Sequence, residues 1–262
     1  LLRDQWMMHE PSIQFYAKLA SDILAGKEIA TGFFSSLKLP DVPDNVAMIT
    51  MAGVLTKSDV CGSVGSRSLA LQVAAAARSH SIESILLFSE SCPGGQVNGT
   101  QELADAVIAA RKVKPVTGVI SGMACSAGYW PLAVCDETYA LSETDIIGCI
   151  GVVAKMRNPK TVNAEEEDII EVYSDLSPDK NIEGRDMNAY KQQTLNPLAE
   201  VFHENVKAGR GKRLKLNKEN VLSGKTYIAR DAEKYGMIDG IMPMHKIIAR
   251  SLFLARTQKN RK

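Results

Sequence analysis

The sequence has no CxxC pair, no GxSxG pentapeptide and no apolar run approaching the roughly 18 residues of a membrane span. The missing CxxC removes a zinc ribbon or thioredoxin-like redox motif, and the five cysteines, Cys61, Cys92, Cys125, Cys135 and Cys149, are odd in number and widely spaced. Such a set reads as reduced, buried thiols of a cytosolic protein, not as a disulfide framework or a metal site. Charge of one sign is also missing. Thirty-one basic against thirty acidic residues leave a net charge of +1, so no global field argues for nucleic acid or an anionic membrane as partner. Only four histidines are present, His9, His80, His203 and His245, none in an evident motif, and each is read as a surface residue. No signal peptide is apparent, and a chain that begins at Leu1 leaves room for a processed or trimmed start.

What is present is enough apolar matter, 45% of 262 residues, for one large domain with appendages. Ile13, Tyr16, Leu19, Ile23 and Leu24 form one stripe of a helix over about 12–27. Pro40 and Pro43 mark a boundary, which divides the chain into a helical extension (1–42), a main domain (43–243), and a C-terminal helix with a basic tail (244–262). Strands and helices then alternate. "VAMITMAGVL", "SILLFSES" and "PVTGVIS" are near-continuous apolar strands, and "SRSLALQVAAAARSH" and "NGTQELADAVIAARKV" are helices, the second with Asn98 or Thr100 as N-cap. Apolar strands between helices predict a parallel sheet covered on both faces. Shorter strands are expected in "ETYALSE", "IGVVAKM" and "IIEVYS", then a helix from about 186 to 206 with a kink or break at Pro197. The basic run "KAGRGKRLKLNK" and the acidic run "EEED" read as solvated faces.

Two strand ends carry unusual residues. "SESCPGGQV" places Gly94 and Gly95 where the chain turns sharply and bare N–H groups can approach a ligand. "GMACSAGYW" puts Ser126 where a strand should end and a helix begin, with unpaired N–H groups and the positive end of the helix beneath it. An oxyanion needs two donors, which the Gly94/Gly95 turn and the Ala127 N–H could supply. Ala124, Ala127 and Gly128 are small enough to let a substrate backbone reach the hydroxyl. The other reading of the segment is a tightly packed βα corner without chemistry. A nucleophilic serine needs a base, either a histidine or a neutral lysine. To be half neutral at pH 7, a lysine must drop from a pKa near 10.4, at a cost of roughly 4.6 kcal/mol in desolvation or like-charge repulsion. Spacing alone selects no lysine.

Taken in order, "SCPGG", "SGMACSAGYW", "DETYALSETDIIGCIGVV", "EVYS" and "GKTYIARDAEKYGMIDGI" resemble the signal peptide peptidase A family of serine peptidases, which includes phage head-maturation proteases. The resemblance covers about residues 46–241. It implies a ClpP/crotonase-type α/β fold, a repeated β-β-α superhelix with a parallel sheet. It also implies that Ser126 is the nucleophile, that Gly94 and Gly95 are oxyanion donors, and that a lysine after the Y-S strand is the base. Lys180, 54 residues after Ser126, fits that place, with Lys191 as fallback. The sequence departs from the family pattern in "YSDLSPDK", two residues longer than Y-S-G-x-x-K, with Asp179 beside the lysine. A carboxylate there would raise the lysine pKa, the wrong direction for a base, unless it points away. Cys149 stands where the family has a serine that bonds the lysine, and Cys125 precedes the nucleophile. Both adjoin the site and are read as small, buried replacements.

The expected protein is therefore a serine endopeptidase with a Ser126–Lys180 dyad, cutting after small residues. It needs no cofactor and no metal. Its partners are a peptide or protein substrate and copies of itself in a tetramer or larger ring. It is cytoplasmic, or prohead-associated if phage-encoded, and it degrades signal peptides or matures a capsid or scaffold. The rivals are an inactive scaffold protein on the same fold and a crotonase-type acyl-CoA enzyme.

Overall fold

The computed structural model describes residues 6–8, 41–59, 64–154, 176, 179, 182–184 and 186–260. The helix expected over 12–27, the strand "IIEVYS", the acidic run, Cys61 and Lys180 lie outside them. In chain order the elements are β1 (Trp6–Met8), β2 (Val46–Ala52), α1 (Ser66–Arg78), β3 (Ser84–Cys92), β4 (Gly94–Gln96), α2 (Thr100–Arg111), β5 (Val116–Cys125), α3 (Trp130–Ala133), β6 (Glu137–Ala140) and β7 (Ile146–Gly148). After these come α4 (Met187–Tyr190), α5 (Asn196–Arg210), β8 (Thr226–Ile228), α6 (Ala229–Lys234), β9 (Gly240–Ile241) and α7 (Met244–Lys259).

The main sheet runs β2-β3-β5-β6-β9, all parallel. The central strands β3 and β5 are buried over most of their length because both faces are covered, and successive residues serve opposite cores. Ile85 and Leu87 of β3 join the core under α1 and α2, where Leu69, Val73, Leu103 and Val107 lie. Leu86 and Phe88 point the other way, into a smaller core closed by Ile247 of α7.

β5 is the pivot. Its first half pairs with β6 and its last three residues with β7, so two short strands share one long edge. The hand-over falls at Gly122, whose φ is +79°, opposite Ser91, which bends β3 at φ +49°. A Cβ on Gly122 would stand 2.3 Å from the Ser91 hydroxyl, so the two bends nest only with glycine there. Buried Asp145 fastens the bend by accepting the N–H groups of Gly122 (2.9 Å), Leu141 (3.1 Å) and Ser142 (3.0 Å).

Several local expectations are corrected. Gly99, not Asn98 or Thr100, is the N-cap of α2, because the Thr100 hydroxyl turns back to the Gln96 carbonyl at 2.8 Å. Of the strand expected in "IGVVAKM", residues 155–156 lie outside the described residues, and the strand found just before the stretch is Ile146–Gly148, held between β5 and β8. Asp186 caps α4 by accepting the Asn188 and Ala189 N–H groups. No break occurs at Pro197. Residues 191–195 form a wide π turn ahead of α5, and Pro197 sits in the first turn of α5, where its missing N–H costs little. The basic run is not all solvated. Arg210 is 1% exposed and grips Asp239 through both terminal nitrogens, at 2.8 and 3.1 Å.

Candidate active site

In parallel sheets, binding sites form beyond the carboxyl ends of the strands. Three such ends meet here: Cys92 of β3 is opposite Ala124 of β5, and Cys125 of β5 is opposite Gly148 of β7. The residues at or just past these ends, Ser91, Ser126 and Cys149, all have positive φ, at +49°, +55° and +52°. Non-glycine residues adopt that region rarely, and at a cost of about 1–3 kcal/mol that clusters at functional sites. Three of them around one sheet end mark the place independently of any motif.

Ser126 opens a single 3₁₀ turn, 126–128, before α3. Its hydroxyl donates to the Gly151 carbonyl at 3.5 Å, a long contact, and the residue is 1% exposed. The N–H of Ala127 lies in the first turn, where no helical carbonyl precedes it. The two aromatics that follow are anchors. The Tyr129 hydroxyl donates to the Met237 carbonyl at 2.7 Å, and Trp130 stacks on Phe202 of α5, centroids 4.7 Å apart. The small neighbours serve packing, not substrate access: Ala124, Ala127 and Gly128 are buried, and a Cβ on Gly128 would stand 2.6 Å from the Cys92 sulfur.

Gly94 and Gly95, read from sequence as a sharp turn, form the short strand β4. The Gly94 N–H is directed to the Cys92 sulfur. Leu55 donates to the Gly94 carbonyl and accepts from the Gln96 N–H, both at 2.8 Å. Peptide groups alternate sides along a strand, so the N–H of Gly95 faces away from Leu55. Cys92 and Cys125 are held in the thiol form. Burial pushes the Cys92 thiol up to about 11, only partly offset by the Gly94 N–H, and burial together with the Cys149 and Cys92 sulfurs holds Cys125 well above the ordinary thiol range. Cys149 is half-buried beside the serine.

A cleft of about 390 Å³ opens from Ser126, lined by Cys149, Ile150, Gly151, Ala199, His203 and Leu222 among others. His203 contradicts its reading as a surface residue. Burial lowers its pKa, against a pull upward from the carbonyls of Ile150 and Leu222, which favours the neutral ring. The available signal was its place on α5, four residues after Ala199, next to the buried stripe Phe202, Val206 and Arg210. Lys191 is exposed on the π turn, and Asp179 is exposed. Among the described residues, no group of three His, Cys, Asp or Glu side chains could hold a metal ion.

Residues 108–256, from α2 to α7 and including Ser126, match the family model of Peptidase family S49. The chain belongs to peptidase family S49. The S49 assignment brings with it the ClpP-like α/β fold, in agreement with the parallel sheet described above. Among similar proteins, Protease 4 of Salmonella typhi is 27% identical over 234 residues, covering 86% of this chain and 37% of that protein. Capsid assembly protease C of Escherichia phage lambda is 25% identical over 182 residues, 65% of this chain and 40% of the relative. The S49 chain thus spans about two fifths of the length of these relatives. No helix among the described residues is long and apolar enough to cross a membrane.

Proposed function

We propose that this chain is a serine endopeptidase in which Ser126 is the nucleophile and Lys180 the general base. The observation that carries the reading is the strained Ser126 at the meeting of three parallel strand ends, with the Ala127 N–H behind it and the Gly95 N–H free of the Leu55 edge. Neutral Lys180 takes the Ser126 proton as Oγ bonds to a peptide carbonyl carbon. The resulting oxyanion sits against the N–H groups of Gly95 and Ala127, with Gly94 shaping the approach. The C–N bond breaks, the lysine returns the proton to the leaving amine, and water activated by the same lysine hydrolyses the ester. The lining of Ile150, Gly151, Ala199 and Leu222 suits small apolar side chains at the cleaved position.

The similarity to a protein named for capsid assembly favours a capsid or scaffold protein as substrate, with a signal peptide as the other option. The working place is accordingly a prohead or the cytoplasm. The family resemblance also supports a homo-oligomer, so sedimentation should report a mass well above 28.5 kDa, and an active monomer would refute that part. The rival is an inactive scaffold, favoured by the longer "YSDLSPDK" segment, while the exposure of Asp179 supports Lys180 as base. A fluorophosphonate probe decides between the two. The wild-type chain should be labelled and Ser126→Ala should not, whereas an unlabelled wild-type chain would end the peptidase reading.

A further inference from the structure

β4 has two edges. Leu55 occupies one, using the Gly94 carbonyl and the Gln96 N–H. The peptide groups of Gly95 face the other, and there β1 pairs antiparallel, with Met7 opposite Gly95 and Met8 opposite Gly94. β1 also lies against the Ser126–Gly128 turn. The chain's own residues 6–8 therefore run as an extended strand past the serine, on the edge that carries the Gly95 N–H. Ser126 is 1% exposed at the base of its cleft, and β1 lies along the turn it opens.

We infer that this edge of β4 is a docking edge for an extended peptide by strand addition, and that Trp6–Met8 is its resident, displaceable occupant. The inference rests on the reading of Ser126 and Gly95 as the reacting site. Strand addition takes its affinity from main-chain hydrogen bonds, so a short internal strand competes directly with any peptide of extended backbone. A three-residue strand is weakly held and can be exchanged. If it occupies the edge nine-tenths of the time, apparent affinity for a substrate falls about tenfold.

The test uses the full chain carrying Ser126→Ala, so that no peptide is cut, and a labelled copy of residues 3–10, RDQWMMHE. Antiparallel ladders alternate bonded and non-bonded pairs, and because Gly95 turns both its peptide groups away from Leu55 toward β1, Met7–Gly95 is a bonded pair; the Met7 N–H therefore points at Gly95, and Met7→Pro removes that bond. Met7→Pro should bind the peptide about tenfold more tightly than its parent. Met7→Ala, which keeps the N–H, should bind as the parent does. On the parent, hydrogen exchange should show residues 6–8 losing protection when peptide is added while Gly95 stays protected. Equal affinity in Met7→Pro and parent, no binding to either, or unchanged protection at 6–8 would overturn the inference. Should Met7→Pro fail to fold, the exchange measurement on the parent decides. Neither measurement needs chemistry at Ser126. An unlabelled wild-type chain in the fluorophosphonate assay would therefore defeat the peptidase reading and leave strand exchange standing.

Discussion

Lys180→Met should lower peptide turnover by about 10²–10⁴-fold, the usual contribution of a general base. The melting temperature should stay close to that of the parent, since methionine keeps the length of the side chain and removes only its charge. The alternatives within reach are two. Lys191 is exposed on the π turn between α4 and α5 and does not line the cleft at Ser126. His203 lines the same cleft as Ser126, and burial lowers its pKa. Its ring, however, is drawn to the carbonyls of Ile150 and Leu222, an arrangement suited to a wall of the cleft more than to a proton acceptor. Lys191→Met and His203→Gln should both keep most of the rate. The pH profile separates the bases further. With lysine as base, activity rises with pH through a neutral-to-alkaline ionisation. With His203, whose pKa burial lowers, the rise would come at a lower pH than with a lysine. Loss of turnover in His203→Gln, with Lys180→Met unaffected, would move the base to α5. Loss in Lys191→Met alone would mean that the placement across "YSDLSPDK" is wrong.

The main architecture was legible because its causes are local. β2, β3 and β5 each carry a run of apolar residues, such as Ile85–Phe88, and α1 and α2 carry their buried residues at helical spacing, so each element declares itself within its own span. The site was half legible. Ser126 and the two glycines stand out as residue types at strand ends, but the positive φ of Ser91 and Cys149 has no sequence mark, since neither residue type favours that region. β7 escaped because it is three residues long and exists through pairing with β5 and β8, which lies some eighty residues later. His203 escaped because α5 has a cleft-facing edge only once Gly151 and Leu222 are brought opposite it. Arg210 escaped for a related reason. A cation inside "KAGRGKRLKLNK" reads as solvated until its partner, twenty-nine residues on, is known to lie beneath the helix.

That partner gives the largest expected loss of stability. Asp239→Ala should cost about 3–5 kcal/mol, the range for removing one member of a buried ion pair. The Arg210 side chain is fully buried, and its guanidinium is satisfied by both Asp239 oxygens and by the Gly236 carbonyl at 2.9 Å. Asp239 also accepts the Thr138 N–H at 2.7 Å and the Arg213 guanidinium at 3.1 Å, so one carboxylate ties α5 and the turn after it to β6. Without it, Arg210 stays buried and unpaired, and the total stability of a domain is only about 5–15 kcal/mol. Arg210→Met should cost less, because the charge leaves with the hydrogen bonds and Asp239 keeps Arg213. Burial pushes the Asp239 pKa up, but Arg210, the Thr138 N–H and Arg213 outweigh it, and the net direction is down from 3.8. A depressed carboxylate adds stability that is fully present above its unfolded pKa and is lost as pH falls through the folded one. The parent should therefore lose stability below about pH 4, and Asp239→Ala should show a flatter acid limb. Urea unfolding at pH 7 and between pH 2 and 5 measures both quantities. A loss under 1 kcal/mol at pH 7, or an unchanged acid limb, would show that Arg213 and water replace the carboxylate.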